Sequence, residues 1–159
     1  MSDSALFISG SLLTIDYLVE AVAATPAYLE VDVAGLRATL DLIAARFPKN
    51  SRTNESQTED DFIWPVLAAL GWSEWLRQQN LTVAGRDDVP DGVLFEDAAA
   101  KAEANAQDDQ WRRYSHGLAV VESKRWARPL DRASGREEAT APSTQMLRYL
   151  RRIDDLTTG

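Results

Sequence analysis

Val120-Val121-Glu122-Ser123-Lys124 sets a carboxylate and an amine two residues apart at the end of an apolar run, downstream of Pro90-Asp91. Residues separated by two share a face of a strand, so Glu122 and Lys124 are expected to point together from one edge of a sheet. Two carboxylates and an amine are equipment for metal-assisted phosphodiester hydrolysis, which needs an activated water and a cation that draws charge off the phosphate oxygens. Magnesium is a hard ion that prefers carboxylate oxygens and keeps several waters, so one or two acids on adjacent strand ends suffice. Asp91, at the start of one strand, and Glu122, at the end of the next, can be that pair. Lys124 could hold the attacking water and favour its hydroxide form, or neutralise charge in the transition state. The set is complete only if the fold brings Asp91 beside Glu122.

The elements that must do this are legible in outline. Leu12, Ile15, Leu18, Val19 and Val22 recur at helical spacing, as do Val33, Leu36, Leu40, Ile43 and Phe47 after a break at Pro26. Lys49–Thr53 reads as a polar loop. Asn54 with Gln57 three residues on forms a capping pattern for a third helix, which runs through Phe62, Ile63, Val66, Leu67 and Leu70 to a stop at Gly71. Pro65 lies inside it and predicts a kink or a division. Short, partly β-branched runs then predict strands over Leu81–Ala84, Val93–Phe95 and Leu118–Glu122. Between the last two, alanine-rich Ala98–Tyr114 reads as an inserted surface helix. Arg125–Ala141 reads as a basic loop over the site, and Pro142 opens a last helix with Met146, Leu147, Leu150 and Ile153 on its apolar side.

Composition bounds the classes. At 159 residues and 45% apolar content the chain can bury one hydrophobic core. No apolar run reaches the length of a membrane span, because Asp16, Glu20 and Pro26 interrupt the best stretch, and no signal peptide opens the chain. The lack of cysteine removes disulfides and thiolate metal sites and fits a cytoplasmic setting. His116 has no second histidine for a transition-metal site, and Ser115 and Ser123 have no histidine–acid partner, so serine-hydrolase chemistry has no support. The net charge of −8 argues against nucleic acid at first, but residues 111–152 carry ten Lys/Arg against four acids. That local surplus could meet DNA while the acidic remainder faces elsewhere; the plainer reading is a set of solvated helix faces and surface ion pairs.

Pro90-Asp91 followed by Glu122-Ser123-Lys124 resembles the PD-(D/E)xK nuclease motif. Gln145-Met146-Leu147-Arg148-Tyr149 resembles the Q-x-x-x-Y helix that follows the motif in nuclease domains of type I restriction subunits and their relatives. Asn54-Glu55-Ser56-Gln57-Thr58, with Phe62–Leu67 and Leu70-Gly71-Trp72, resembles the entry helix of those domains. Ala119–Trp126 with Pro129-Leu130-Asp131 is similar to the matching stretch of type IIG and IIL restriction-modification enzymes. The resemblance covers about residues 11–156 and implies an α/β fold: a restriction-endonuclease-like core, a central mixed sheet flanked by helices, with an N-terminal helical layer. One nuclease domain over 1–159 is expected, its helical layer at 1–75 and its catalytic sheet and glutamine helix at 76–159.

The resemblance further implies a Mg²⁺-dependent endonuclease acting on double-stranded DNA in a prokaryotic cytoplasm, with Mn²⁺ as a possible substitute. Asp91 and Glu122 would be metal ligands and Lys124 the water-positioning base. Glu55 would be the helical carboxylate near the metal, with Glu59 as its competitor; both are also ordinary helix-start acids. Gln145 would orient the lysine or the water. Arg125, Trp126, Arg128, Arg148 and Tyr149 are candidate DNA contacts, although Tyr149 on the apolar side of its helix also reads as core. In the resembling enzymes an adenine methyltransferase, which uses S-adenosylmethionine, and a target-recognition domain follow the nuclease. Neither has motifs in this chain, so a fragment of a longer enzyme is expected, with a transient dimer possible for double-strand cleavage. A catalytically silent nuclease-fold module docking on DNA or a methyltransferase is the alternative, and a nuclease for RNA or single strands would use the same residues.

Overall fold

The computed structural model describes residues 14–48, 53–85, 88–133 and 140–158. Leu12, most of the polar loop after Pro48, and Arg136 with its neighbours lie outside the described residues. The chain divides into two compact units, Met1–Arg37 and Ala38–Gly159.

In the first unit, a π-helical stretch at Tyr17–Val22 is followed by a short helix, α1 (Pro26–Leu29), whose Thr25 side chain accepts the Tyr28 N–H. Helix α2 (Val33–Arg46) starts there, with Asp32 accepting the Gly35 N–H.

The second unit is mixed α/β. Helix α3 (Glu55–Thr58) opens with the expected capping box: Asn54 accepts the Gln57 N–H at 2.8 Å, and the Gln57 side chain accepts the Asn54 N–H at 3.3 Å. The helix then widens to a π-helical stretch at Glu59–Ile63 before resuming as α4 (Trp64–Ala69). Pro65 explains where the irregularity falls, since it has no N–H to give and its ring crowds the carbonyl four residues back. Gly71 ends α4 in a left-handed conformation (φ +97°), letting the Gly71 and Trp72 N–H groups close on the Ala68 and Leu67 carbonyls.

Three strands, β1 (Trp75–Arg77), β2 (Gly92–Leu94) and β3 (Ala119–Val121), form an antiparallel sheet in the order β1-β2-β3. Strand β3 lies within the expected Leu118–Glu122, and β2 is displaced by one residue from the expected Val93–Phe95. The expected strand at Leu81–Ala84 does not form, and Trp75–Arg77 takes the place in the sheet. Asn80 explains the loss: its side chain bonds the Thr82 N–H, the Thr82 carbonyl and the Gly85 carbonyl, offering the backbone a turn in place of a ladder. Leu81 is nonetheless fully buried. The described sheet is antiparallel throughout, where a mixed one was expected.

Alternation along the strands feeds two cores. Val93, Phe95, Leu76 and Val120 pack with Leu81, Ala104, Tyr114 and Tyr149, while Leu94, Val121, Trp75 and Ala119 pack with Trp64, Ile63, Leu67 and Trp72. Helices thus cover both faces of the sheet. Ala98–Tyr114 is not a surface insertion: α5 (Ala98–Asn105) and a 3₁₀ helix at Gln110–His116 supply Ala104 and Tyr114 to the first core. The long final helix, α6 (Pro142–Thr158), sends Tyr149, Ile153 and Leu156 to the same core.

Candidate functional site

The register Gly92↔Val121, extended by one residue, sets Asp91 opposite Glu122. Both acids lie just beyond their strands, where the ladder has released the backbone but not the spacing. Ser123 locks the pair of strand ends together. Its N–H at 2.6 Å and its hydroxyl at 3.0 Å both donate to Asp91 Oδ2.

Glu55, Glu59 and Asp91 bring one carboxylate oxygen each within 4.8 Å of one another, a spacing a single cation could share. Both candidates for the helical carboxylate, Glu55 and Glu59, approach Asp91. Glu122 is not in this trio. Its Oε1 accepts from Lys124 Nζ at 2.6 Å, and its Oε2 is buried with no hydrogen-bond partner among the described residues. The pair is nearly enclosed, with side-chain exposures of 5% for Glu122 and 13% for Lys124.

The electrostatics follow from crowding acids in a half-dry place. Burial pushes the Glu122 carboxyl above its ordinary range and Asp91 adds to the rise, while the Lys124 hydrogen bond opposes it. Burial likewise raises Glu59, joined by the charge of Asp91 and opposed by Ser123 and Arg77. For Lys124, burial would lower the pKa, but the hydrogen bond and charge of Glu122, with Glu55 and Asp91 behind it, carry it above its ordinary value. That favours its ammonium form, which can donate to a water or to a phosphate oxygen.

The helix of Gln145 adds a neighbour. Gln145 Nε2 donates to the Tyr149 hydroxyl at 2.6 Å, and Tyr149, 3% exposed, has its pKa raised by burial and by the nearby Glu122 charge, against the Gln145 bond. Gln145 therefore reaches Tyr149 and not the lysine.

Several expected DNA contacts are placed differently. Tyr149 is core. Arg128 is buried and spends its guanidinium on the Pro129 and Arg132 carbonyls of its own loop. The partly buried Trp126 ring packs against Phe47 and Phe62, with centroids at 5.2 and 5.3 Å. Arg148 is half exposed but ion-paired to Asp88 at 2.7 Å. Arg125 stays exposed. Sequence reasoning missed Asp88, which is buried, holds both Arg148 and Arg152 of α6, and has no distinguishing motif. It also missed Ser123, whose role depends on register.

No helix among the described residues is long and apolar enough to cross a membrane. No protein-family model matches the chain, and no curated protein or solved structure matches it significantly.

Proposed function

We propose that this chain is a nuclease module of the PD-(D/E)xK kind, hydrolysing phosphodiester bonds of double-stranded DNA with a divalent cation, Mg²⁺ or Mn²⁺. The observation that carries the reading is the meeting of Glu55, Glu59 and Asp91 within 4.8 Å, beside the buried Lys124–Glu122 pair. The donor set suits the metal: every candidate ligand atom is a hard carboxylate oxygen, and the buried Glu122 Oε2 has an unused acceptor in a place where unpaired oxygens are costly. Asp91, with Glu55 and Glu59 from the helix, would hold the ion, with Glu122 bonded to Lys124 beside them.

When bound, the cation would draw charge off a phosphate oxygen and make a coordinated water more acidic. The chain's own residues do the rest. Ser123 holds Asp91 by two hydrogen bonds to one oxygen, Oδ2. Lys124, kept protonated by Glu122, would orient the attacking water by donation and offset the negative charge that builds on the phosphate. The methyltransferase and target-recognition partners implied by the resemblance would supply sequence choice, because no groove-reading element marks this chain.

Supercoiled plasmid incubated with Mg²⁺ or Mn²⁺ tests the reading. Wild type should nick or linearise it, and Asp91→Ala or Lys124→Ala should lower the rate at least about a hundredfold. Equal cleavage by all three would falsify the assignment. Absence of both cleavage and any Asp91-dependent thermal shift with Mn²⁺ would leave a silent module with a nuclease-like fold.

A further inference from the structure

Thr58 sits on the helix between Glu55 and Glu59, and it is buried. Its hydroxyl donates to the Asn54 carbonyl at 2.8 Å and accepts the Trp126 N–H at 3.0 Å. A hydroxyl has a single hydrogen, so the bond to Asn54 orients the oxygen and leaves its lone pairs for the Trp126 amide. Trp126 belongs to the segment that begins at Glu122. That segment is tied at one end to Asp91 through Ser123 and at the other to the acid-bearing helix through Thr58.

We propose that Thr58 is a positioning residue: its bond to the Trp126 amide sets the separation between the helical carboxylates, Glu55 and Glu59, and the strand-end carboxylates, Asp91 and Glu122, and thereby sets the affinity of the cluster for a divalent cation. The inference rests on the reading of the cluster as a metal site. Its physical basis is a difference in directionality. The Trp126 ring against Phe47 and Phe62 supplies burial, but apolar packing tolerates sliding, whereas a hydrogen bond fixes distance and angle. A small hard cation accepts little variation in ligand distance, so a slip of the helix by about 1 Å would take a carboxylate out of reach. Without the hydroxyl, the Trp126 amide must find water or another acceptor, and the segment moves to do so.

Mn²⁺ titration calorimetry on the metal-free full chain tests this, with Thr58→Val as the near-isosteric loss of the hydroxyl and Thr58→Ser as its conservative retention. Tyr114→Phe, which removes a buried hydroxyl bonded to the Gln79 carbonyl and to no carboxylate of the cluster, controls for general loosening. Thr58→Val should bind Mn²⁺ roughly tenfold more weakly than wild type, while Thr58→Ser and Tyr114→Phe stay within about twofold. Should the valine variant fail to fold, Thr58→Ala, with the best helix-forming side chain, should show the same loss. Wild-type affinity in the folded hydroxyl-free variant would overturn the positioning role, as would a Tyr114→Phe loss of equal size. Wild type that takes up no Mn²⁺ through Asp91 would instead overturn the metal-site reading itself, and this role with it.

Discussion

Glu122 concentrates the chemistry of the site in two oxygens with different fates. One is bonded to the Lys124 ammonium, and the other is buried without a partner among the described residues. A carboxylate so desolvated favours its proton, which is why its pKa is raised above the ordinary carboxylate range. The consequence for stability has a definite sign. A folded-state pKa above the unfolded one makes the protonated acid the better-tolerated form, so metal-free protein loses stability as pH rises through the window above 4.5. Glu122→Gln removes that titration. Its stability relative to wild type should therefore improve as pH rises from the ordinary carboxylate range through the raised Glu122 pKa in chelator, as measured by urea unfolding. Mn²⁺ should narrow the gap near neutrality by stabilising wild type. A gap that does not vary with pH would contradict this account of the residue.

At the scale of elements, the widened helix and the sheet are fitted together at Gly92, immediately after Asp91. A Cβ there would stand 2.5 Å from Trp64 Cη2 and 3.1 Å from Cζ2, so glycine is what lets the indole lie over the strand. Trp64 is itself stacked on Trp75 at 5.4 Å and packs with Leu94 and Val121. Gly92→Ala should cost about 1–3 kcal/mol, because the ring must move within a packed core. Chemical denaturation reads the cost, and an unchanged midpoint would show that the indole has room to yield. The same fit explains how the helix delivers Glu55 and Glu59 to Asp91: Trp64 anchors the helix one turn beyond Glu59, over the strand that follows the aspartate.

Across the second unit, charge is spent largely on construction. The basic surplus of residues 111–152 invites a reading as a DNA-facing stripe, yet Arg113 bonds Gln79 and the Gln107 carbonyl, Arg112 pairs with Asp109, and Arg148 and Arg152 converge on buried Asp88. Asp88 thereby fastens α6, with its Gln145 and Tyr149, to the loop that leads into Asp91. Asp88→Asn keeps the shape and removes the charge. It should cost about 1–3 kcal/mol, less than a fully buried pair because both arginines reach solvent. Raised salt should shrink the difference only in part, since the carboxylate itself is buried. A urea midpoint equal to wild type would show that α6 is held by its apolar face alone.

Local rules made the chemistry and several element ends readable from sequence alone. Pro90-Asp91 with Glu122-Ser123-Lys124 named the candidate groups, Asn54 and Gln57 announced the capping box, Gly71 marked a helix stop, and the runs at Val93 and Val120 marked strands. Each of these depends on residues a few positions apart, where side-chain spacing and backbone preference act directly. What only the tertiary structure decided depends on residues far apart in the chain: the register that puts Asp91 opposite Glu122, the arrival of both Glu55 and Glu59 at Asp91, and the inward turn of Trp126, Arg128 and Tyr149. Even the lost strand at Leu81 follows this division, because its apolar residues read as β until Asn80 closes a turn and the core takes Leu81 from a loop. Periodicity states which residues seek burial, and only packing determines which partners they find.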